Sequence, residues 1–169
     1  MKLHIGGEQV KEGWKILNIK PNVGVDYIGD ICNLGQFPND SIDEIYASHV
    51  FEHVLQRDAL NVLVGIARVL KKGGKLYISV PDLEILCNIY LDPKAPKEVK
   101  VHAMRMMFGG QVDEFDIHYM GWNQELLFDY LQLAGFSEGQ RVETFGLFED
   151  TSNYRPYGGL ISLNVIAVK

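Results

Sequence analysis

An α/β domain built on an open, mostly parallel sheet is what this sequence predicts, and three observations carry the prediction. Short apolar runs alternate with stretches of helical spacing along the whole chain, the pattern of strands laid side by side through crossovers. Two of those runs end in clusters of polar or turn-forming residues near Ser48 and Pro81, as buried parallel strands do where their carboxyl ends emerge. With 169 residues, 47% of them hydrophobic, the chain can bury a core of its own, and 1–169 is read as one domain.

Taken in order, Leu3 to Ile5 forms a first strand, broken by Gly6-Gly7. Trp14 to Ile19 is a second, stopped by Pro21, and Val25 to Ile28 a third, stopped by Gly29-Asp30. The segment 6–13 is short for a parallel crossover, so any helix within it must be stunted. Ile42 to Ala47 is the fourth strand. Asp58 stands where it can cap a helix whose apolar positions Leu60, Leu63, Ala67 and Leu70 share one stripe, and Gly73-Gly74 is expected to end that helix. Lys75 to Val80 is the fifth strand. Helical spacing returns from Leu83 to Gln111, interrupted by Asp92-Pro-Lys-Ala-Pro96, so two helices with a turn are expected. Asn123 caps a further helix to Leu133, ended at Gly135. Strands near Arg141–Phe145 and Leu160–Val168 close the chain, with a long polar and aromatic loop between them.

The net charge of −6 supplies no basic field, so neither nucleic acid nor an anionic membrane is the expected partner, and a small-molecule substrate fits better. Cys32 and Cys87 form no Cys-x-x-Cys pair, which points to a reducing, cytoplasmic setting. No run nears the roughly 18 apolar residues of a membrane span, and no signal-type segment precedes Gly6. A homodimer could form through an exposed last strand or the loop at Tyr154-Arg-Pro-Tyr157.

The chemistry concentrates in Asp43-Glu-Ile-Tyr-Ala-Ser-His-Val-Phe-Glu-His53, where an apolar run ends in Ser48, His49, Glu52 and His53 at the rim of the sheet. His49, His53 and His118 are candidate bases because imidazole titrates near neutral pH, and Asp82 at the end of the fifth strand is another. Tyr119 and Trp122, in His118-Tyr-Met-Gly-Trp122, offer flat apolar faces to a substrate. His49-Val-Phe-Glu-His53 also spells an inverted zinc-protease motif, with Glu52 as base in a metal-dependent hydrolase. Because it spans a strand-to-helix turn, no metal ligand is assigned from it.

The runs Lys2-Leu-His-Ile-Gly-Gly7, Gly29-Asp30-Ile31, Phe37 to His53 and Val69 to Asp82 together resemble the class I methyltransferases that use S-adenosylmethionine. The later runs from Gly121-Trp122 to Ala134-Gly-Phe136 and Phe145 to Phe148 look like the compact bacterial methyltransferase branch. The resemblance implies a Rossmann-like, doubly wound sheet with a C-terminal antiparallel strand pair, and makes 81–122 a substrate-side helical insertion or lid. It implies S-adenosylmethionine as cofactor, with Gly6 and Gly7 at its amino-acid part, Asn18 near the ribose, Asp30 and Ile31 at the adenine, and Ser48 and His49 by the sulfonium. The implied function is methyl transfer to a small-molecule or saccharide-like acceptor. Glu8 in the glycine turn, and Asn18 where an acidic residue is usual, favour the rival reading of a non-catalytic binding or scaffold domain.

Overall fold

The computed structural model describes residues 1–169. Its sheet comprises β1 (Lys2–Ile5), β2 (Trp14–Asn18), β3 (Tyr27–Ile28), β4 (Ile42–Ser48), β5 (Leu70–Pro81), β6 (Glu138–Val142) and β7 (Ser162–Val168). The helices are α1 (Ala59–Val69), α2 (Leu83–Leu91), α3 (Lys97–Phe108) and α4 (Gln124–Leu133). The seven strands lie in the order β3-β2-β1-β4-β5-β7-β6. Strands β1 to β5 pair in parallel, whereas β7 runs antiparallel to both β5 and β6. The order reverses between β1 and β4, so both neighbours of that seam send their carboxyl ends to one edge, where open α/β sheets bind ligands.

Side-chain alternation divides the two faces. Leu3, Ile5, Ile45, Ala47, Leu76, Ile78, Val80, Leu163, Val165 and Ala167 point to one side, where Leu63 and Ile66 of α1 and Leu127 and Leu131 of α4 cover them in a core of 29 buried residues. Burying each of those aliphatic side chains stabilises the fold by about 1.5–3 kcal/mol before ordering entropy is counted. The opposite face has no such helix over β1 and β4. Trp14, Tyr46 and Phe148 form a small aromatic cluster there, flanked by Tyr77, Phe145 and Leu147. The Tyr46 hydroxyl donates to Asp150 Oδ2 at 2.8 Å, which pins the 144–153 segment over the strands.

Four expectations are corrected. Helix α1 does not run to Gly73-Gly74: Leu70 is already extended (ψ 140°) and pairs with Ile42, while Glu44 pairs with Lys75. The surplus residues of β5 bulge between those pairs, and Gly73 takes the left-handed conformation (φ 74°) that the bulge needs. Strand β3 shrinks to Tyr27–Ile28, because the Asp26 carboxylate takes the Ile16 N–H at 2.9 Å and pairing starts only afterwards. Strand β6 sits earlier than Arg141–Phe145, since Phe145 leaves the sheet edge to stack edge-on against Tyr46 and Tyr77. The last strand, β7, is not an exposed edge; it lies between β5 and β6, and β6 is the edge. The segment 6–13 carries no helix at all.

Candidate active site

The carboxyl ends of β1, β2, β3 and β4 open into a cavity of about 480 Å³. Ile5, Leu17, Ile31, Val54 and Leu55 give it apolar walls, and Gly6, Asn18, Gly29, Asp30, His49 and His53 bring backbone and polar groups. Its outer wall comes from Glu114, Phe115 and Tyr119. Lys20 Nζ bridges to Asp113 Oδ2 at 2.7 Å and stands 5.5 Å from the Phe115 ring centroid, tying the loop after β2 to that wall.

The turn after β1 is shaped by contact. Gly6 has φ 73°, its N–H donates to Leu17 O at 2.8 Å, and a Cβ there would lie 2.4 Å from Val50 Cγ2. Gly7 does not line the cavity. It backs onto His4, whose ring would meet an added Cβ at 2.6 Å, so its role is to seat the turn on the aromatic cluster beneath. Asn18 faces the cavity but spends its amide on the same turn, donating to Gly7 O at 3.1 Å and accepting from the Lys20 N–H at 3.0 Å. Glu8 also lines the cavity. Asp30, exposed at the end of β3, uses Oδ1 to accept from the Cys32 N–H, while Ile31 is buried beside it. Ser48 lies off the cavity with its hydroxyl buried and unpartnered.

Past β4 the backbone turns sharply. His49 takes φ 52°, a left-handed conformation that costs a non-glycine residue roughly 1–2 kcal/mol, and a 3-10 turn spans Phe51–His53. The result is a carboxylate ringed by imidazoles. Glu52 is 1% exposed; His49 Nδ1 lies 3.3 Å from its Oε1 and His118 Nε2 4.0 Å. Burial pushes the Glu52 carboxyl up, but His49, His53 and His118 outweigh it and hold the group below the ordinary carboxylate range. Burial in turn lowers the His118 pKa, against the pull of Glu52.

The hydrogen bonds fix the ring orientations. The Ser162 hydroxyl donates to Thr151 O, so it accepts from His49 Nε2 at 2.8 Å, which turns His49 Nδ1 toward Glu52. His53 Nδ1 donates to Ile117 O at 3.0 Å and His118 Nδ1 to Met106 O at 2.9 Å.

Two further sequence candidates are placed elsewhere. Asp82 is 1% exposed and lines no part of the cavity; it caps α2 through the Glu84 and Ile85 N–H groups and pairs with Arg141 at 2.7 Å. Trp122 is fully buried, stacked on Phe51 at 4.8 Å, so its ring presents no surface to a substrate; Tyr119 does. The metal-capable grouping also differs from the one spelled by the sequence: Glu52 and His53 are joined by His118, not by His49. Met106 and Met107, at the end of α3, pack on Leu86 and Ala103 as core filler. Ser162 and Phe148, not candidates from the sequence, brace the site from more than fifty residues away, Ser162 on His49 and Phe148 on His4 beneath the glycine turn.

No helix is long and apolar enough to cross a membrane. No curated protein sequence matches the chain significantly. Three solved structures each align with 99% of it: a Haloferax volcanii protein in complex with the methyltransferase activator Trm112 (16% identity, 80% of that chain, TM-score 0.63), an Archaeoglobus fulgidus SAM-dependent methyltransferase (17%, 85%, 0.60) and a Thermotoga maritima SAM-dependent methyltransferase (18%, 81%, 0.62). The methyltransferase domain family model matches residues 5–78. The whole chain therefore has the class I methyltransferase fold, and the part of it that forms the cavity floor carries the methyltransferase-domain sequence pattern.

Proposed function

We propose that the protein is an S-adenosylmethionine-dependent methyltransferase acting on a small-molecule or saccharide-like acceptor in the cytoplasm, related to the compact bacterial branch. The observation that carries this reading is the cavity at the β1–β4 edge, walled by Gly6, Asn18, Asp30, Ile31 and His49 in the chain order the resemblance implies. The cradle fits: a Cβ at Gly6 would close it, Asp30 keeps one carboxylate oxygen clear of its own loop, and Ile5, Leu17 and Ile31 supply apolar surface for a ring.

In this arrangement Asp30 and Ile31 would hold the adenine and Gly6 the amino-acid part. When bound, the cofactor supplies an electrophilic methyl group on a sulfonium. The chain contributes position: holding donor and acceptor in line is worth on the order of 7–11 kcal/mol of the barrier. Tyr119, Phe115 and Glu114, on the 81–122 insertion, cover the acceptor side and exclude water. Proton removal from a hydroxyl acceptor falls to the Glu52 cluster, whose members His49 and His53 reach the cavity.

Calorimetric titration with S-adenosylmethionine and S-adenosylhomocysteine tests the reading. Binding of both is expected, with Asp30→Ala at least tenfold weaker and its melting temperature unchanged; silence from both ligands refutes it. The second reading, a domain that binds partners without turnover, draws on Glu8 in the cavity wall and on the helix-free 6–13 turn. Cofactor binding without turnover of any hydroxyl, amine or sugar panel would favour it. If the chain pairs with a second copy, the free edge of β6 is the available strand.

A further inference from the structure

We infer that Glu52, His53 and His118 form a binding site for a divalent transition-metal ion of the zinc or cobalt class at the inner wall of the cavity. Their ligand atoms lie within 4.8 Å of one another, although His118 follows Glu52 by 66 positions in the chain.

Three features point to an ion and not merely to a packed polar cluster. Both oxygens of the Glu52 carboxylate are buried, and neither has a hydrogen-bond partner. A buried carboxylate left without donors is costly, several kcal/mol after relaxation, and folds keep one only where something else supplies positive charge. His49 Nδ1 faces Oε1 at 3.3 Å, but the two imidazoles of His53 and His118 do not donate to the carboxylate. His53 and His118 each give their Nδ1 proton to a backbone carbonyl, Ile117 O and Met106 O, so in the neutral rings both Nε2 atoms present lone pairs. An Nδ1–H held by a carbonyl, with Nε2 left open, is how metal-ligating histidines are oriented and their tautomer fixed. The donor set of two imidazole nitrogens and one carboxylate oxygen suits first-row transition ions better than magnesium or calcium, which prefer all-oxygen shells.

The geometry needs little adjustment. Zn–N bonds of about 2.0–2.1 Å set ligand-to-ligand edges near 3.4 Å, so even the widest pair closes if each side chain moves by less than an ångström or so. Three protein ligands leave a position open for water or substrate, the hallmark of a working rather than a structural ion. His53 lines the cavity, and His49, held by Ser162, stays outside the ligand set with Nδ1 facing Glu52. In a methyltransferase, an ion here would orient an acceptor oxygen and acidify its hydroxyl; that role rests on the proposed function, whereas metal binding does not.

The test is titration of the metal-stripped protein with Co²⁺, followed by its visible absorption, and with Zn²⁺, followed by melting temperature, without cofactor. The expected result is one equivalent of Co²⁺ with a bound-ion spectrum, displaced by Zn²⁺, and a Zn²⁺-dependent rise in melting temperature. His118→Ala and Glu52→Gln should each weaken binding at least about tenfold. Because Glu52→Gln perturbs a buried group, His53→Asn at the cavity wall serves as a second variant, with circular dichroism confirming its fold. No spectrum and no rise in melting temperature would overturn the site, as would binding in all three variants as strong as in the parent protein. S-adenosylmethionine titration of the same samples keeps the two readings apart: cofactor binding without metal removes only this inference, and metal binding without cofactor removes only the methyltransferase reading.

Discussion

His4 lies on β1 directly beneath the glycine turn and is 5% exposed. Its ring meets Tyr46 edge-on at 4.9 Å and Phe148 at 4.2 Å, and its Nδ1 has no partner. Burial lowers its pKa from 6.5 to about 4, with Asp150 pulling weakly the other way. The folded protein therefore resists protonating this ring, while the unfolded chain takes up the proton near pH 6.5. Stability from this group is complete above pH 6.5 and is lost as pH falls toward 4. A difference of about 2.5 units at 1.36 kcal/mol each corresponds to roughly 3 kcal/mol, a large share of the 5–15 kcal/mol typical of a domain. His4→Phe keeps an aromatic ring between Tyr46 and Phe148 but removes the titration. The wider ring presses on Gly7, whose added Cβ would already lie 2.6 Å from His4, yet that offset does not depend on pH. Urea unfolding of both proteins between pH 4 and 7.5 isolates the effect, because Glu52 and His118 titrate in both. The variant should gain on the parent by about 3 kcal/mol on going from pH 7 to pH 4. Two stability curves that stay parallel across that range would refute the assignment.

Two further substitutions separate support from chemistry. Gly6→Ala must place a Cβ against Val50 in a left-handed backbone, whereas Gly13→Ala shares the positive φ but meets nothing within 4 Å; Gly13→Ala should lose about 1 kcal/mol of stability and Gly6→Ala more, and only Gly6→Ala should also lose cofactor affinity by calorimetry. Asp82→Ala removes a helix cap and a pair with the partly exposed Arg141, at a cost of about 2 kcal/mol in urea unfolding; an Asp82→Ala protein of unchanged stability but abolished turnover would restore Asp82 as the base.

Local pattern is what the sequence conveys, because apolar spacing, caps and breakers act over a few residues. Leu83–Leu91, Lys97–Phe108 and Gln124–Leu133 were legible as helices for that reason, and Asn123 as a cap. The strand ends that deliver Gly6, Asp30 and His49 to one edge could also be read, since each is marked by a polar or glycine break. Gly73-Gly74 misled because a glycine pair signals a helix stop and a strand bulge equally well. Trp122 misled because its flanking turn says nothing about which side its ring faces.

The succession of elements, and the rim on which their polar ends emerge, are thus written in local pattern. The partners are fixed by the assembled sheet: His118 against Glu52, Arg141 on Asp82, Ser162 on His49, and β7 between β5 and β6. The three side-chain pairings join residues more than fifty positions apart, and they, like the place of β7, are set by strand order and register, which depend on how the whole sheet buries its two faces and not on the identity of any neighbouring residue.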